Sequence, residues 1–258
     1  MSEREQILVE SEDAFKAFIK QNCKRYSCFT KSVNRSIESC VVRGPFDIRK
    51  KINFKLRNQT IKFENIVFYE TIGFTKSNNS KVIFNGCVFH KFLCFDMIQV
   101  EFINCTFDFS EKPYAKDIKF YHGSVATMNN CEFINLQRDF KPSDKLCSGS
   151  IFCLSPTRLE FNNCKFQNCK NILDLNICGD NVLFKECRFD MSSFFTSDEN
   201  VHMKDIYTRF NQCTIIDSEL TVLKVKEDCC LAWNGEDVYE TSATFIDTVH
   251  SLPLIGSE

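Results

Sequence analysis

A six-residue pattern, Phe-x-x-Cys-x-Phe, recurs along most of this chain and restricts its fold more than any other feature of the sequence. In some copies another residue replaces Phe or Cys. The copies occupy residues 63–68, 84–89, 102–107, 128–133, 161–166, 184–189 and 210–215. Two weaker copies are predicted around Cys40 and Phe245. Self-similarity of this kind indicates a stacked repeat architecture, in which each unit packs on the next.

The repeats differ in length, since 18 residues separate Cys87 from Cys105 and 33 separate Cys131 from Cys164. Ankyrin and tetratricopeptide repeats have helices that fix the length of each unit. A parallel β-helix tolerates the variation, because its short strands pair with the coils above and below while the corner loops grow. The spacing therefore predicts a parallel β-helix.

The residue before each Cys predicts where the chain turns. This column reads Asn65, Gly86, Asn104, Asn130 and Asn163 before it changes to Glu186 and Gln212. Gly and Asn occupy the left-handed region at the least cost, so each copy is interpreted as a strand end, a corner and a new strand. Phe, Cys and the second Phe then face inward, and the Asn side chains stack in a ladder. The alternative is that Asn marks unrelated surface turns.

These residues resemble the coils of right-handed parallel β-helix proteins, the pectate-lyase-like superfamily, over residues 37–250. The resemblance is one of fold, and it implies an all-β, single-stranded, right-handed parallel β-helix. About eight coils at ~4.8 Å each would give a rod on the order of 40 Å long. The 27 Phe residues suit a narrow core of stacked rings. Function does not follow from the fold.

The first residues predict a cover for the open end of the coil stack. Ser2 and Glu5 have the spacing of a capping box, and apolar residues recur at helical spacing after them. We predict an amphipathic capping helix over residues 3–22. The expected domains are an N-terminal helical cap over 1–32, the β-helix over 33–250 and a C-terminal tail over 251–258.

Cysteine use and the start of the chain bear on the compartment. No apolar stretch follows a basic start, which predicts a cytoplasmic or nuclear protein without a secretory signal or membrane span. The repeat places many of the 16 Cys in one inward column, where Cys acts as a small hydrophobe. The close pairs do not match a zinc site, so neither a metal nor a cofactor is expected. These pairs are Cys23 with Cys28, Cys147 with Cys153, Cys164 with Cys169, and Cys229 with Cys230.

Charge gives little indication of a polyanionic partner. The chain has 32 basic and 34 acidic residues, so no global field favours nucleic acid. A local basic run has two interpretations. The favoured one is a solvated face that protects a strand edge from pairing, and the weaker one is a binding site for single-stranded nucleic acid. Its members are Arg43, Arg49, Lys50, Lys51, Lys55 and Arg57.

Enzyme motifs of the resembling superfamily are missing. Its glycosidases share an Asn-Thr-Asp strand, an Asp-Asp pair and a Gly-His-Gly turn, and the sequence has none of the three. The outward carboxylates Asp108 and Asp190 are predicted to lie too far apart for a glycosidic pair unless Glu132 contributes. The histidines, His90, His122, His202 and His250, share no repeat position.

The expected function is therefore a non-catalytic structural or protein-interaction module, as a component of a viral particle or of a cytoskeletal or scaffold assembly. Heavy use of Phe, Asn, Lys and Ile also suits an AT-rich genome, such as those of many large DNA viruses and protists. The alternative is a carbohydrate-active enzyme or glycan-binding protein that uses one face of the β-helix.

The longest interval predicts the partner site, because loops on a rigid scaffold commonly carry binding. It contains the polar stretch 137–149, with the candidate residues Arg138, Phe140, Lys141, Asp144 and Lys145. A second candidate is the apolar cluster around Trp233, which is also interpreted as a cap over the last coil.

Overall fold

The computed structural model describes residues 5–25, 30–34, 37–110, 118–136, 151–154, 157–169, 172, 180–190 and 192–195, and from residue 207 onward it describes strand backbones alone. The one helix in this part of the chain is α1, Glu12–Asn22. The strands of the first half are β1 Glu5–Val9, β2 Cys23–Arg25, β3 Thr30–Val33, β4 Ile37–Ile48, β5 Ile52–Lys55, β6 Thr60–Phe68, β7 Ile72–Phe74, β8 Lys81–Asn85, β9 Val88–Phe89, β10 Leu93–Asp96, β11 Gln99–Ile103, β12 Thr106–Asp108, β13 Ile118–Tyr121 and β14 Val125–Asn129. Those of the second half are β15 Glu132–Ile134, β16 Ile151–Leu154, β17 Thr157–Asn162, β18 Lys165–Gln167, β19 Asp180–Lys185, β20 Arg188–Asp190, β21 Ser193–Phe195, β22 Tyr207–Asn211, β23 Thr214–Ile216, β24 Glu219–Val222, β25 Cys230–Trp233, β26 Glu236–Val238, β27 Thr241–Thr244 and β28 Val249–His250.

The strands build a parallel β-solenoid, as the repeat predicts. One coil consists of β8, β9 and β10, and each strand pairs in parallel with its counterpart in the next coil, β11, β12 and β13. We call the three resulting surfaces face 1 (the β8 and β11 side), face 2 (β9 and β12) and face 3 (β10 and β13). Corner 1 joins faces 1 and 2, corner 2 joins faces 2 and 3, and corner 3 leads back to face 1.

The same residue types stay in register from coil to coil. On face 1, Phe63, Phe84, Phe102, Met128, Phe161 and Phe184 form one line of paired positions. On face 2, the line runs through Phe68, Phe89, Phe107, Phe133, Phe166 and Phe189. Since a slip of one residue would turn every inward side chain outward, burial of these side chains pins the register.

These rings form the core. Except where Met128 interrupts face 1, each ring stacks on its neighbour in the next coil, with ring centroids 5.1 Å apart for Phe84 and Phe102 and 4.5 Å apart for Phe133 and Phe166. Rings of the two lines also meet edge to face, as Phe84 and Phe89 do. The inward position predicted for the Phe and Cys residues of the repeat is confirmed, because those between residues 84 and 189 are at most 2% exposed.

Corner 1 has the predicted left-handed column. The φ angles are 55° at Asn65, 63° at Gly86, 52° at Asn104, 53° at Asn130 and 50° at Asn163, and Glu186 follows at 54°. The predicted Asn ladder is also present. Asn130 Nδ2 donates to Asn104 Oδ1 at 3.3 Å, and Asn163 Nδ2 donates to Asn130 Oδ1 at 2.9 Å.

Gly86 fits this ladder for a steric reason. A Cβ atom at this position would lie 2.5 Å from Oδ1 of Asn65, one coil earlier. Glycine leaves room for that amide, and its φ of 63° is a conformation that it adopts without steric cost. The break in the Asn column is therefore compatible with the same corner geometry.

The predicted helix over residues 3–22 is wrong at its start. Residues Glu5–Val9 form β1, which pairs in parallel with β4, and the helix begins only at Glu12. Ser11 is the N-cap, and its side chain accepts a hydrogen bond from Ala14 N at 3.1 Å. The aliphatic run of β1 pairs with the edge of β4, which would otherwise be a free sheet edge. This pairing stabilises the strand more than local helix propensity stabilises a helix.

The weaker repeat copy around Cys40 is also wrong in register. Cys40 pairs with Ile61 inside face 1, and the residue opposite Ile66 of the next coil is Phe46. A register irregularity lies between Arg43 and Phe46. The other weak copy, around Phe245, falls outside the described residues.

Candidate functional site

Corner 2 differs in length from coil to coil along the solenoid. On the early coils it is short, since Ile72 and Leu93 begin face 3 soon after Phe68 and Phe89. On the next coil the chain leaves the described structure after Ser110 and re-enters at Ile118, and one coil later it leaves after Leu136 and re-enters at Ile151. We call corner 2 of these two coils the insertion edge.

The two insertions are neighbours in space at their roots. β12 pairs with β15 and β13 pairs with β16, so the coils that carry residues 111–117 and 137–150 are adjacent. On the following coil Ile172 already accepts a hydrogen bond from Ile151 N at 2.8 Å. The insertion edge is therefore confined between coils with shorter corners.

The roots of the insertion edge are held by side chains. Asn168 Nδ2 donates to Asn135 Oδ1 at 2.5 Å, and Asn135 Nδ2 donates to Ser110 Oγ at 2.7 Å. Asp108 Oδ1 accepts from Ser110 N at 3.0 Å. Asn135 and Asn168 have φ angles of 53° and 50°. Among residues other than Gly, Asn is one of those that tolerate this left-handed conformation best. This polar ladder joins three coils at the points from which the insertions depart.

Burial fixes the same points from inside. Phe109, Ile118, Leu136 and Ile151 flank the insertions and are at most 1% exposed. A segment between two buried anchors has both ends positioned by the core, whatever conformation it takes. The ends of residues 111–117 and the ends of residues 137–150 thus lie on adjacent coils.

The predicted partner-binding residues, Arg138, Phe140, Lys141, Asp144 and Lys145, lie in the second insertion and outside the described residues. The sequence interpretation missed the first insertion, which contains Tyr114 and four charged residues. The available signal was the 26-residue interval from Cys105 to Cys131, which is 8 residues longer than the one before it.

Trp233, which marks the second candidate binding site, ends β25, whose backbone pairs with β22 and β26.

The face 2 carboxylates do not form a glycosidic pair. Asp108 and Asp190 share an outward column, with Ile134 and Gln167 on the coils between them. Three strand spacings place them about 14 Å apart, whereas catalytic carboxyl pairs are separated by about 5 to 9.5 Å. Glu132 lies beside this column, where Lys165 Nζ is 3.1 Å from its Oε1.

Tyr69, at corner 2, has its ring covered from both neighbouring coils. The guanidinium of Arg49 lies 4.2 Å from the Tyr69 ring centroid, and the His90 ring stacks on Tyr69 at 4.9 Å. His90 Nδ1 also lies 3.0 Å from the carbonyl oxygen of Asp108. A sugar ring would need a free aromatic face, so Tyr69 gives no support to the glycan alternative.

His122 belongs to a separate pair at corner 3. Its Nδ1 lies 2.7 Å from Asp96 Oδ1, and Asp96 Oδ2 accepts from Lys76 N at 3.2 Å. His122, Met97 and Lys76 all have positive φ angles. These contacts tie three coils together at the corner, which accounts for the pair without catalysis. Of the other histidines, His202 and the side chain of His250 fall outside the described residues.

The basic run does not form one free patch. Arg43 Nε lies 2.7 Å from Glu64 Oε2, and Arg49 Nη2 lies 2.7 Å from Asp47 Oδ2. Lys55 is 7% exposed. The pKa of Glu64 is lowered by hydrogen bonds from Lys62 and Arg43, as expected for a carboxylate between two cations. The arrangement supports the interpretation of this run as part of a solvated face.

The cysteines whose side chains the structure describes are free thiols. Burial raises the pKa of Cys40 and Cys169 to about 12 and that of Cys94 to about 11. Cys164 and Cys169, a close pair in sequence, donate to carbonyl groups of different residues, Met128 and Phe133. Since the thiolate is the reactive form, these environments favour inert thiols.

Within the described residues, no three His, Cys, Asp or Glu side chains converge on a point where a metal ion would sit. Over the same part of the chain, no helix is long and apolar enough to cross a membrane. Comparison of the chain with protein-family models, curated proteins and solved structures finds no match. The interpretation of function therefore depends on the geometry of the solenoid itself.

Proposed function

We propose that the chain is a non-catalytic scaffold whose β-solenoid presents the insertion edge to a protein partner. The observation that carries the proposal is the pair of adjacent insertions, each rooted between buried residues. Loops that vary in length on a rigid framework are the usual place for binding. The candidate contact residues are Arg138, Phe140, Lys141, Asp144 and Lys145.

Composition supports a polar contact surface with a few apolar anchors. The insertion 137–150 has Arg138, Lys141 and Lys145 against Asp139 and Asp144, with Phe140 among them. Arginine and aromatic residues are enriched at the centres of protein interfaces. Phe140 and Arg138 are accordingly the residues whose loss should weaken binding most.

We further propose a finer architecture. The solenoid is right-handed, because parallel β crossovers almost always take that hand, and it belongs with the pectate-lyase-like β-helices. It has about eight coils over residues 33–250, with a cap over 1–32 and a tail over 251–258. The burial of Phe15, whose ring centroid lies 6.5 Å from that of Phe63, supports the capping role of α1.

The proposed setting is an assembly in the cytoplasm or nucleus, such as a viral particle or another scaffold. A stack of paired coils suits such a role, because its contacts are repeated from coil to coil and its corners accept insertions. Neither nucleic acid nor a membrane span is part of this proposal. Identification of the proteins that co-purify with the chain from its native source would name the partner.

The test replaces residues 138–148 with a short Gly-Ser turn and measures both stability and partner capture. Because the flanking residues Leu136 and Ile151 stay in place, the thermal midpoint should change little, and capture of the partner should be lost. A matched variant, Trp233→Ser, should retain capture if it folds.

Loss of capture in a folded Trp233→Ser protein, together with capture by the loop-replaced protein, would move the binding site to the C-terminal end. Turnover of a polysaccharide by the purified chain, lost on Glu132→Gln, would instead establish the carbohydrate-active alternative and reject the scaffold proposal.

A further inference from the structure

The N-terminal end of the solenoid has an exposed helical surface. The strands at this end, β1 and β2, each pair with one neighbour in the described part of the chain, β4 and β3 respectively. α1 lies between β1 and β2 in sequence and contacts both. Its residues Phe15 and Phe18 are buried, and the Phe15 ring centroid lies 6.4 Å from that of Phe46 in β4. The side of α1 opposite these two rings therefore faces away from the core.

This outward side of α1 has oppositely charged residues on either side of a small residue. Asp13, Ala17 and Lys20 are all exposed. Seven residues make nearly two turns of an α-helix, so Asp13 and Lys20 lie on one line along its surface, separated by about 10.5 Å of rise. Ala17 lies between them. We call these three residues the helix stripe.

The charges at this end of the molecule are separated along the helix. Glu12 and Asp13 occupy the first turn of α1, whereas Lys20 lies in its last turn and Lys24 and Arg25 follow in β2. The helix dipole favours acidic side chains in the first turn and basic side chains in the last. That effect falls off within one turn, so it does not account for the two cations of β2.

Both ends of the helix stripe can accept further ion pairs. Asp13 receives a hydrogen bond from Lys16 Nζ at 3.2 Å through Oδ1 alone, and its side chain is 93% exposed. Lys16 is already neutralised, because its Nζ also lies 2.9 Å from Glu12 Oε1. Among the described residues, none forms an ion pair with the cations at the other end, Lys20, Lys24 and Arg25.

We propose that two copies of the chain associate through this surface, with their α1 helices antiparallel across a two-fold axis. An axis that passes between Lys16 and Ala17 places Asp13 of each copy opposite Lys20 of the other, because the two residues are equally far from it along the helix. The same rotation brings the acidic start of one helix beside the basic end of the second copy. Antiparallel helix dipoles add to this attraction.

A second copy fits this surface because a two-fold contact requires a patch that is complementary to itself. A surface that is acidic at one end and basic at the other meets this requirement after a rotation of 180°. The small side chain of Ala17 lets the helix axes approach to about 8 to 10 Å, the usual packing distance. Exposed ion pairs are weak and screened by salt, so the dimer should be reversible.

The helix stripe lies outside the insertion edge, so this proposal does not depend on the partner proposed above. The test is sedimentation equilibrium of the full chain in a reducing buffer, at about 25 mM and about 0.5 M NaCl. Between these conditions the Debye length falls from about 20 Å to about 4 Å. We expect a dimer at low salt whose dissociation constant rises about tenfold or more at high salt.

Charge reversal tests the pairing itself. Asp13→Lys and Lys20→Asp each replace both attractions across the axis by repulsions, so each variant alone should dissociate at least about tenfold more readily. An equimolar mixture of the two variants should form a heterodimer. In it the introduced lysine faces the introduced aspartate, and the native Lys20 of one copy faces the native Asp13 of the other. Circular dichroism checks that each variant is folded.

Two further variants complete the experiment. Lys185→Asp makes the same change of charge as Lys20→Asp at an exposed residue of face 1, and it should leave the dissociation constant unchanged. Ala17→Gln keeps the charges and a good helix former but adds bulk at the two-fold axis, so it should weaken the dimer. It provides the decisive variant if a charge-reversed protein does not fold.

Three results would overturn the proposal. One is a wild-type chain that stays monomeric at low salt and about 0.5 mM protein, where even a weak dimer is populated. Another is a mixture of the two folded charge variants that associates no better than either alone. The third is an unchanged dissociation constant for folded Ala17→Gln.

Discussion

At the residue scale, the fold depends on three positions in each repeat that face inward and one that turns the chain. The inward rings are fully buried in both Phe lines, and the turning residue adopts a positive φ. Both features were predictable from sequence because they are local. A strand alternates its sides with a period of two, and Asn or Gly marks a left-handed corner.

The first prediction concerns Phe166, which stacks between Phe133 and Phe189 with centroid distances of 4.5 and 4.9 Å. Phe166→Ala should lower the free energy of unfolding by about 3 to 5 kcal/mol, the range for removing a buried Phe. The neighbouring outward residue provides the control, and Lys165→Ala should cost at most about 1 kcal/mol. Equal losses in urea unfolding of the two variants would contradict the register.

A second prediction separates the two roles of Asn163, which has a φ of 50° and donates to Asn130. Asn163→Gly keeps the conformation and loses the amide, so it should cost about 1 kcal/mol or less. Asn163→Ala loses both, and the left-handed conformation should add about 1 to 2 kcal/mol. If the Ala variant is as stable as the Gly variant, backbone conformation is not what selects this residue.

At the element scale, sequence interpretation succeeded for the regular strands and failed at the N-terminus. Residues 5–9 are apolar and polar in an order that fits a helix as well as a strand. What decides is the edge of β4, which lies 32 residues away in sequence at the pairing of Glu5 with Ile37. The predicted register around Cys40 was wrong for a related reason. The irregularity between Arg43 and Phe46 shifts the corner, and the repeat pattern carries no signal of it.

The third prediction concerns this N-terminal segment. Phe15 is 4% exposed, and α1 packs on the core through this residue and Phe18, whereas Leu8 of β1 is 52% exposed. Phe15→Ala should cost about 3 to 5 kcal/mol, and Leu8→Ala less than about 1 kcal/mol. Chemical denaturation measures both. A small loss for Phe15→Ala would show that α1 does not cover the core.

At the scale of the whole molecule, the thiols link stability to pH. The pKa of Cys40 and Cys169 is raised by burial to about 12, against about 8.5 in an unfolded chain. A raised pKa means that the folded state favours the neutral thiol. The stabilisation is therefore complete below about pH 8.5 and is lost as the pH rises toward 12.

The fourth prediction is that the free energy of unfolding falls between pH 8.5 and 11, and that it falls less steeply in Cys169→Ala. Both proteins share the same Tyr and Lys residues, so the difference between their slopes isolates the thiol. Urea unfolding at a series of pH values gives both slopes. Parallel slopes would mean that Cys169 is not buried as a neutral thiol.

The candidate site could be located from sequence only in part. The long interval after Cys131 identified one insertion, because interval length is a property of the sequence alone. That residues 111–117 leave the same corner one coil earlier follows from the pairing of β12 with β15, which is a property of the fold.

The most direct test of the scaffold account is site-specific photo-crosslinking in the native source. A photoreactive amino acid is placed at Phe140, in the longer insertion, and in a second protein at Ile83, an outward position on face 1. The account predicts a discrete crosslinked protein partner from position 140 and none from position 83. A partner crosslinked from position 83 and absent from position 140 would contradict it, because binding would then lie on a lateral face of the solenoid.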